Sequence, residues 1–453
     1  MAWVLGPLLL QVVSLVAGDR SELRERIYGD QRILETESRP FATLLLRERT
    51  ESLRITYSPD LLVTPLDIEK DRQLYVFHTA SIAATKRYKR TTVTLSEGLG
   101  YGIQIYAITA LGAPLLTTPT TGTGTTGTGT GTTGTGTGTT GTGTTGTGTT
   151  GTPTGTGAAP GGTGAPGANL PGGQAPNPAQ LGAAYHYATA RTELSVVHIL
   201  SPRSTLNVAG AYGIAGGVGS NAAEDAYPVI QGPDGRIVYF YALSPANTLT
   251  SSLRTQYLFG PADPSYLFIG ADVGFIHRFS KSFALGGAIG LGFTRTVDLA
   301  GYTTYTLEPT FGSATGAIFE YSTEIARGTF TLRAGAGYAP QLDTLSDAAD
   351  PRISLIVGAG YVRDRFSVQL FGSSTLSTNR QNEGGALSAL GAGATFAYNL
   401  GRGFRVDTGA RAAWATLGEI TNPTTNTSVA VTVIPPSYAI FVGLGWSGTL
   451  IGK

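Results

Sequence analysis

Residues 244–259 read "SPANTLTSSLRTQYLF". After a tight polar turn, Leu249, Leu253, Tyr257 and Phe259 fall on one side of an extended chain, and Thr250, Ser252, Arg254 and Gln256 on the other. The period is two rather than 3.6, the pattern of a strand with one apolar and one polar face. The same alternation returns in "STLNVAGAYGI" (204–214), "FRVDTGARAAW" (404–414) and "YAIFVGLGW" (438–446). Many of these segments run to ten residues or more, and about 9–11 residues is the length a tilted strand needs to cross a bilayer.

Working outward, the connections between strands alternate in length. Seven are tight and polar: 86–90, 201–204, 244–247, 280–282, 326–328, 363–365 and 400–403. The gaps between them are longer, at 64–73, 109–183, 217–235, 297–313, 340–351, 376–384 and 418–435, with 260–264 as a short exception. Short turns at one end and long loops at the other predict an all-β fold, a transmembrane up-and-down antiparallel β-barrel with periplasmic turns and extracellular loops. Seven hairpins plus strands at about 51–58 and 436–447 predict sixteen strands, within a range of 14–18. "FATLLLRE" (41–48) is a further candidate that would break the even count unless another strand is also hidden.

Composition agrees. Charged residues make up 13% of 453, about half the soluble average, with 64 glycines and 21 tyrosines. The formal net charge of +1 gives no global field for nucleic acid. With no cysteine, the chain has no disulfide and no thiol chemistry.

The N-terminus, "MAWVLGPLLLQVVSLVAGDRSE", has a short apolar run ending in small residues at Val16-Ala17-Gly18. It predicts an export signal over 1–18, although the run lacks the usual leading Lys or Arg. Residues 19–50 follow as a charged, periplasmic segment, and 51–453 as the barrel. Inside the barrel region lies a Thr/Gly/Pro-rich insertion at 110–182, whose stretch Thr120–Thr152 contains only threonine and glycine. Such a tract has nothing to bury, and a disordered extracellular loop tip is where it costs least. Replication slippage, a glycan-bearing spacer and an interdomain linker are the readings open to it.

Aromatic residues fall into two bands, as expected of rings at two membrane interfaces. Tyr75, Tyr101, Tyr106, Tyr185, Tyr212, Tyr239, Tyr257, Tyr266, Tyr338, Trp414 and Tyr438 belong near the long loops, with Phe279, Phe283, Phe366, Tyr398, Phe404 and Trp446 near the tight turns. The face opposite the apolar one is the expected lumen. Its candidates are Arg54, Arg191, Glu193, Arg254, Gln256, Asp272, Glu320, Glu324, Arg333, Gln369, Arg405, Asp407 and Arg411. They read either as a paired network bracing the wall or as the lining of a channel for small polar solutes. Glu97 breaks the pattern by sharing a face with Val93, Leu95, Leu99 and Tyr101, and a β-bulge turning it inward is the expected remedy.

Catalytic motifs are missing. His78, His186, His198 and His277 are scattered, no "HEXXH" or "GXSXG" occurs, and the glycine runs precede no helix. No catalytic, cofactor or metal residue is expected, and the chain does not read as an enzyme.

Four stretches carry a resemblance: "SLRITYSPDLLVT" (52–64), "TTVTLSEGLGYG" (91–102), "LSPRSTLNVAGAYGIAGG" (200–217) and "PVIQGPDGRIVYFYALSPANTLTSSLRTQY" (228–257). In texture and spacing the chain resembles a family of uncharacterised outer-membrane β-barrel proteins of myxobacterial type. The resemblance implies a Gram-negative outer membrane, lipid and the barrel-assembly machinery as partners, and no assigned substrate. One departure is the C-terminus, "GWSGTLIGK", which sets Trp446 seven residues before the end instead of closing on an aromatic. The expected function is a passive pore for small polar solutes. The alternative is a surface-display barrel with a closed lumen.

Overall fold

The computed structural model describes residues 11–452 apart from 29–30, 64–73, 106–183, 220–228, 261–264, 298–300, 313–318, 344–347, 378–387, 417–419, 423–426 and 430–432. The expected insertion at 110–182 lies wholly outside the described residues. The described chain forms a closed antiparallel wall of eighteen strands, each paired with its neighbour in sequence. They are β1 (Gln11–Tyr28), β2 (Gln31–Ser38 continued by Phe41–Arg47), β3 (Glu51–Val63), β4 (Leu74–Arg87), β5 (Thr91–Ile105) and β6 (Ala184–Ser201). Then come β7 (Ser204–Gly217), β8 (Ile230–Ala242), β9 (Asn247–Phe259), β10 (Ser265–Arg278), β11 (Phe283–Val297) and β12 (Thr303–Gly312 continued by Phe319–Ile325). The circuit ends with β13 (Gly328–Asp343), β14 (Ala348–Arg363), β15 (Phe366–Ser377), β16 (Ser388–Gly401), β17 (Phe404–Thr416) and β18 (Val433–Gly452). β18 pairs with β17 on one side and with β1 on the other, so the sheet has no free edge.

Two strands are interrupted rather than doubled. Both pieces of β2 lie between β1 and β3. Pro40 has no N–H to give to the ladder, but Arg39 holds the strand in place by donating to the Arg20 carbonyl at 2.9 Å. Both pieces of β12 likewise lie between β11 and β13.

The expected sixteen strands are therefore corrected to eighteen. The added pair is β1 and β2, drawn from residues expected to be a periplasmic segment at 19–50 and, from Gln11, from the expected leader. Charge at every second position suits a strand whose one face meets an enclosed interior, and it hides the strand from a search for apolar runs. The same correction explains "FATLLLRE": it is the second half of β2, and its hidden companion is β1. The C-terminal residues Gly448, Thr449, Ile451 and Gly452 continue β18 and pair with β1 at Ala17, Val16, Leu15 and Ser14.

All seven expected tight turns are present, with an eighth at 48–50. At 326–327 both Ala326 (φ 49°) and Arg327 (φ 66°) are left-handed, the backbone of a type I′ hairpin whose twist matches its strands. At 402–403 the left-handed Gly403 (φ 85°) has no alternative, since a Cβ there would meet the Ser447 carbonyl oxygen. At the other end the strands reach further than expected: Thr303–Gly312 and Ile230–Ala242 take in much of the polar sequence read as loop at 297–313 and 217–235.

The register sorts side chains into two faces. Ile289, Leu307 and Ile440 are more than 60% exposed and share the outward face with Leu253, Leu370 and Val442. Asp407, Glu35 and Phe441 are almost wholly covered and share the inward face. An apolar exterior around a polar interior inverts the soluble arrangement and fits a wall surrounded by hydrocarbon. The aromatic levels need three corrections. Tyr75 and Tyr266 turn inward and are buried, and Tyr239 stacks on Tyr241 beside the tight turn at 243–246. Near the tight turns the expected ring belt is continuous in places, with Phe279 stacked on Phe283 and Phe366 on Phe396.

Candidate functional site

The inward face is the candidate site, and small residues shape it. Where a strand presents Gly or Ala inward, long side chains of its two neighbours meet over it. β18 presents Gly443 and Gly445 between β1 and β17, and over them Arg20 Nη2 lies 2.5 Å from Asp407 Oδ2. Arg405 is 3.8 Å from Asp407, Arg20 is 3.8 Å from Glu22, and Arg411 is 3.8 Å from Glu22. The Arg411 guanidinium also lies 4.3 Å from the centre of the inward Phe441 ring, a cation–π contact. Further along the seam Arg39 bridges Glu37 and Asp60, the latter at 3.1 Å.

A second cluster repeats the device over β7, which presents Ala211 and Gly213. Arg191 of β6 donates two hydrogen bonds to Asp234 of β8, at 2.6 and 3.0 Å, a planar fork on a carboxylate. Glu193 lies 3.7 Å from Arg191 and 3.9 Å from Arg236. Next along the wall Arg254 pairs with Asp272 at 3.2 Å, and Ser252 donates to the same carboxylate at 2.5 Å. A third pair, Glu320 with Arg333 at 3.7 Å, is open to water on both sides.

Register places all thirteen sequence candidates on the inward face. Arg191, Glu193, Arg254 and Asp272 join the second cluster; Arg405, Asp407 and Arg411 join the seam; Glu320 and Arg333 pair with each other. Gln256 is the cross-strand neighbour of Asp234, and Gln369 of Thr395. Arg54 faces Leu45 and Ala83, and Glu324 faces Thr329. The sequence reading missed the seam's other half, Arg20, Glu22, Glu37, Arg39 and Asp60, and missed Asp234 and Arg236. The signal was there in "DRSELRERIY" (19–28), whose even positions from Arg20 to Arg26 are all charged.

Glu97 overturns its expectation. β5 runs without a bulge, pairing Glu97 with Ile82 on one side and Thr192 on the other, on the outward face with Leu99. Among the described residues no group of three or more His, Asp or Glu is placed to hold a metal ion.

No protein-family model and no curated protein sequence matches the chain. Solved structures of broadly similar architecture include the FrpB iron transporter from Neisseria meningitidis (F5-1 variant), at 9% identity and TM-score 0.46, over 95% of this chain and 81% of that one. Others are OccAB4 of Acinetobacter baumannii, at 10% and 0.43 over 98% and 100%, and the outer membrane protein OpdK of Pseudomonas aeruginosa, at 10% and 0.44 over 97% and 99%.

Proposed function

We propose that the protein is an outer-membrane pore of a Gram-negative bacterium that passes small polar solutes by diffusion. The observation that carries the reading is the closed wall with two opposite faces, apolar outside and charged inside. A circular ring of eighteen strands spaced ~4.8 Å and tilted about 40° has a backbone diameter of about 36 Å. Side chains from opposite walls do not meet across that width. Instead the arginines lie along the wall on neighbouring acids, which keeps the charges satisfied and leaves the centre to water. Acids and bases alternate around the inner face, so the wall favours uncharged and zwitterionic solutes over ions of either sign.

The same reading includes lipid around the belt, the barrel-assembly machinery during insertion, and kinship with the myxobacterial-type barrels. It also includes removal of residues 1–18 on export. The mature first strand is then Asp19–Tyr28, long enough to span the bilayer and to keep its register on both β2 and β18. The experiment is reconstitution of the purified protein into planar bilayers. Stepwise ohmic conductance is expected. Electrical silence from a barrel that still shifts on a gel when heated would overturn the pore and favour the display reading.

A further inference from the structure

Between the two aromatic levels Glu97 points outward, and no hydrogen bond or ion pair among the described residues reaches its carboxylate, whereas the other outward carboxylate there, Glu25 opposite Ile440, is paired with Arg32 at 3.9 Å. It lies seven residues into β5, roughly midway up the hydrophobic belt, where acyl chains offer no donor. Its outward neighbours are polar or small. Thr192 is beside it, Tyr212 follows Thr192 on the next strand, and Gly210 pairs with Gly235 across β7 and β8. Above Gly210 the nearest atom to an added Cβ would be 3.9 Å away, whereas one on Gly235 would come 3.3 Å from Thr255 Cγ2, so the open notch lies over Gly210, beside Leu194.

We infer that this face, from β4 to β9, is where a second copy of the chain packs in the membrane. The surface is self-complementary about a two-fold axis near β5 and β6. Glu97 of one copy meets the Thr192 hydroxyl on the same face of the other, the Tyr212 hydroxyl being donated to Gln231 at 3.0 Å, while the notch at Gly210 lets the two walls approach closely. Close approach through small residues, with a polar bond that lipid cannot supply, is how protein surfaces associate inside bilayers. Six strands across a belt about 25 Å tall give about 600 Å² per copy, close to the ~800 Å² of a standard interface. In a symmetric pair each copy satisfies the other's carboxylate, so the contact closes on itself.

The chain has no cysteine, so single substitutions report cleanly. In nanodiscs or mild detergent the wild-type protein is expected as a dimer by native mass spectrometry. Thr192→Cys is expected to form a disulfide-linked dimer on mild oxidation, and Leu370→Cys, on the opposite wall, is not. Glu97→Leu and Gly210→Phe are each expected to weaken dimerisation at least tenfold while the barrel keeps its heat-dependent gel shift. A monomeric wild type, equal cross-linking at residues 192 and 370, or Glu97→Leu leaving the dimer within twofold of wild type would overturn the proposal.

Discussion

Arg20 and Asp407 are 387 residues apart in the chain and 2.5 Å apart in the wall. They are joined over a glycine of the strand between them, so the bond ties the first strand to the last but one. Asp407 is 2% exposed and Arg20 about a third exposed, so removing the arginine leaves a covered carboxylate with no hydrogen bond and only Arg405, 3.8 Å away, as a counter-charge. Breaking a fully buried pair costs about 3–5 kcal/mol, and the exposure of Arg20 moves the expected loss for Arg20→Ala to about 2 kcal/mol. Urea unfolding in phospholipid vesicles measures it. Asp407→Asn should lose less, because an amide oxygen still accepts from the guanidinium.

Gly443 sets the height of that bridge. A Cβ at this position would come 3.2 Å from Asp407 Oδ2 and 3.2 Å from the Ser21 carbonyl oxygen. Gly443→Leu is therefore expected to separate Arg20 from Asp407 as well as to crowd the β1 backbone. In a double-mutant cycle the loss of the double variant with Arg20→Ala should fall short of the sum of the two single losses by about 1 kcal/mol or more. Simple additivity would mean that the bridge does not depend on the glycine below it.

The barrel was legible because its two signals, period-two alternation and alternating connection lengths, are local in sequence and imposed by the bilayer on every strand. The tight turns at 86–90 and 326–328 needed only their own residues to be found. β1 and β2 were not legible, because a strand whose inward face carries Arg20, Glu22, Glu35 and Glu37 looks like a soluble linker until its partner strands are known. The thirteen lumen candidates could be assigned a face from parity alone. Their partners could not, because Arg191 reaches Asp234 across an intervening strand and register is a property of the closed wall. Glu97 was misjudged for a different reason: rules for a single barrel leave no role for an outward carboxylate.

Arg191 offers a test of how the wall treats ions. Its guanidinium holds Asp234 through two hydrogen bonds and lies near Glu193. Arg191→Gln keeps some hydrogen bonding and removes one positive charge, leaving the local balance negative. The expected change is a rise of about twofold in the potassium-to-chloride permeability ratio, read as a shifted reversal potential in a salt gradient. Asp234→Asn should move the ratio the other way. Equal ratios in both variants would place the conducting path away from this cluster.

The Thr-Gly tract gives the last test, since it enters the chain between two strands of unbroken register. β5 and β6 pair in one uninterrupted register from Thr91 with His198 to Ile105 with Ala184, on either side of the connection that holds Thr120–Thr152. The pairing thus closes the same way whatever the tract's length. Deleting Thr120–Thr152 cuts the connection to a little over half, and loop-closure entropy then favours the folded wall by only about 0.5 kcal/mol. The deletion variant is expected to insert, to keep its heat-dependent gel shift and to unfold at the wild-type urea concentration or slightly above it. A variant that failed to insert would show that the tract acts in assembly. One that folded but conducted more current would show that the tract obstructs the mouth of the pore.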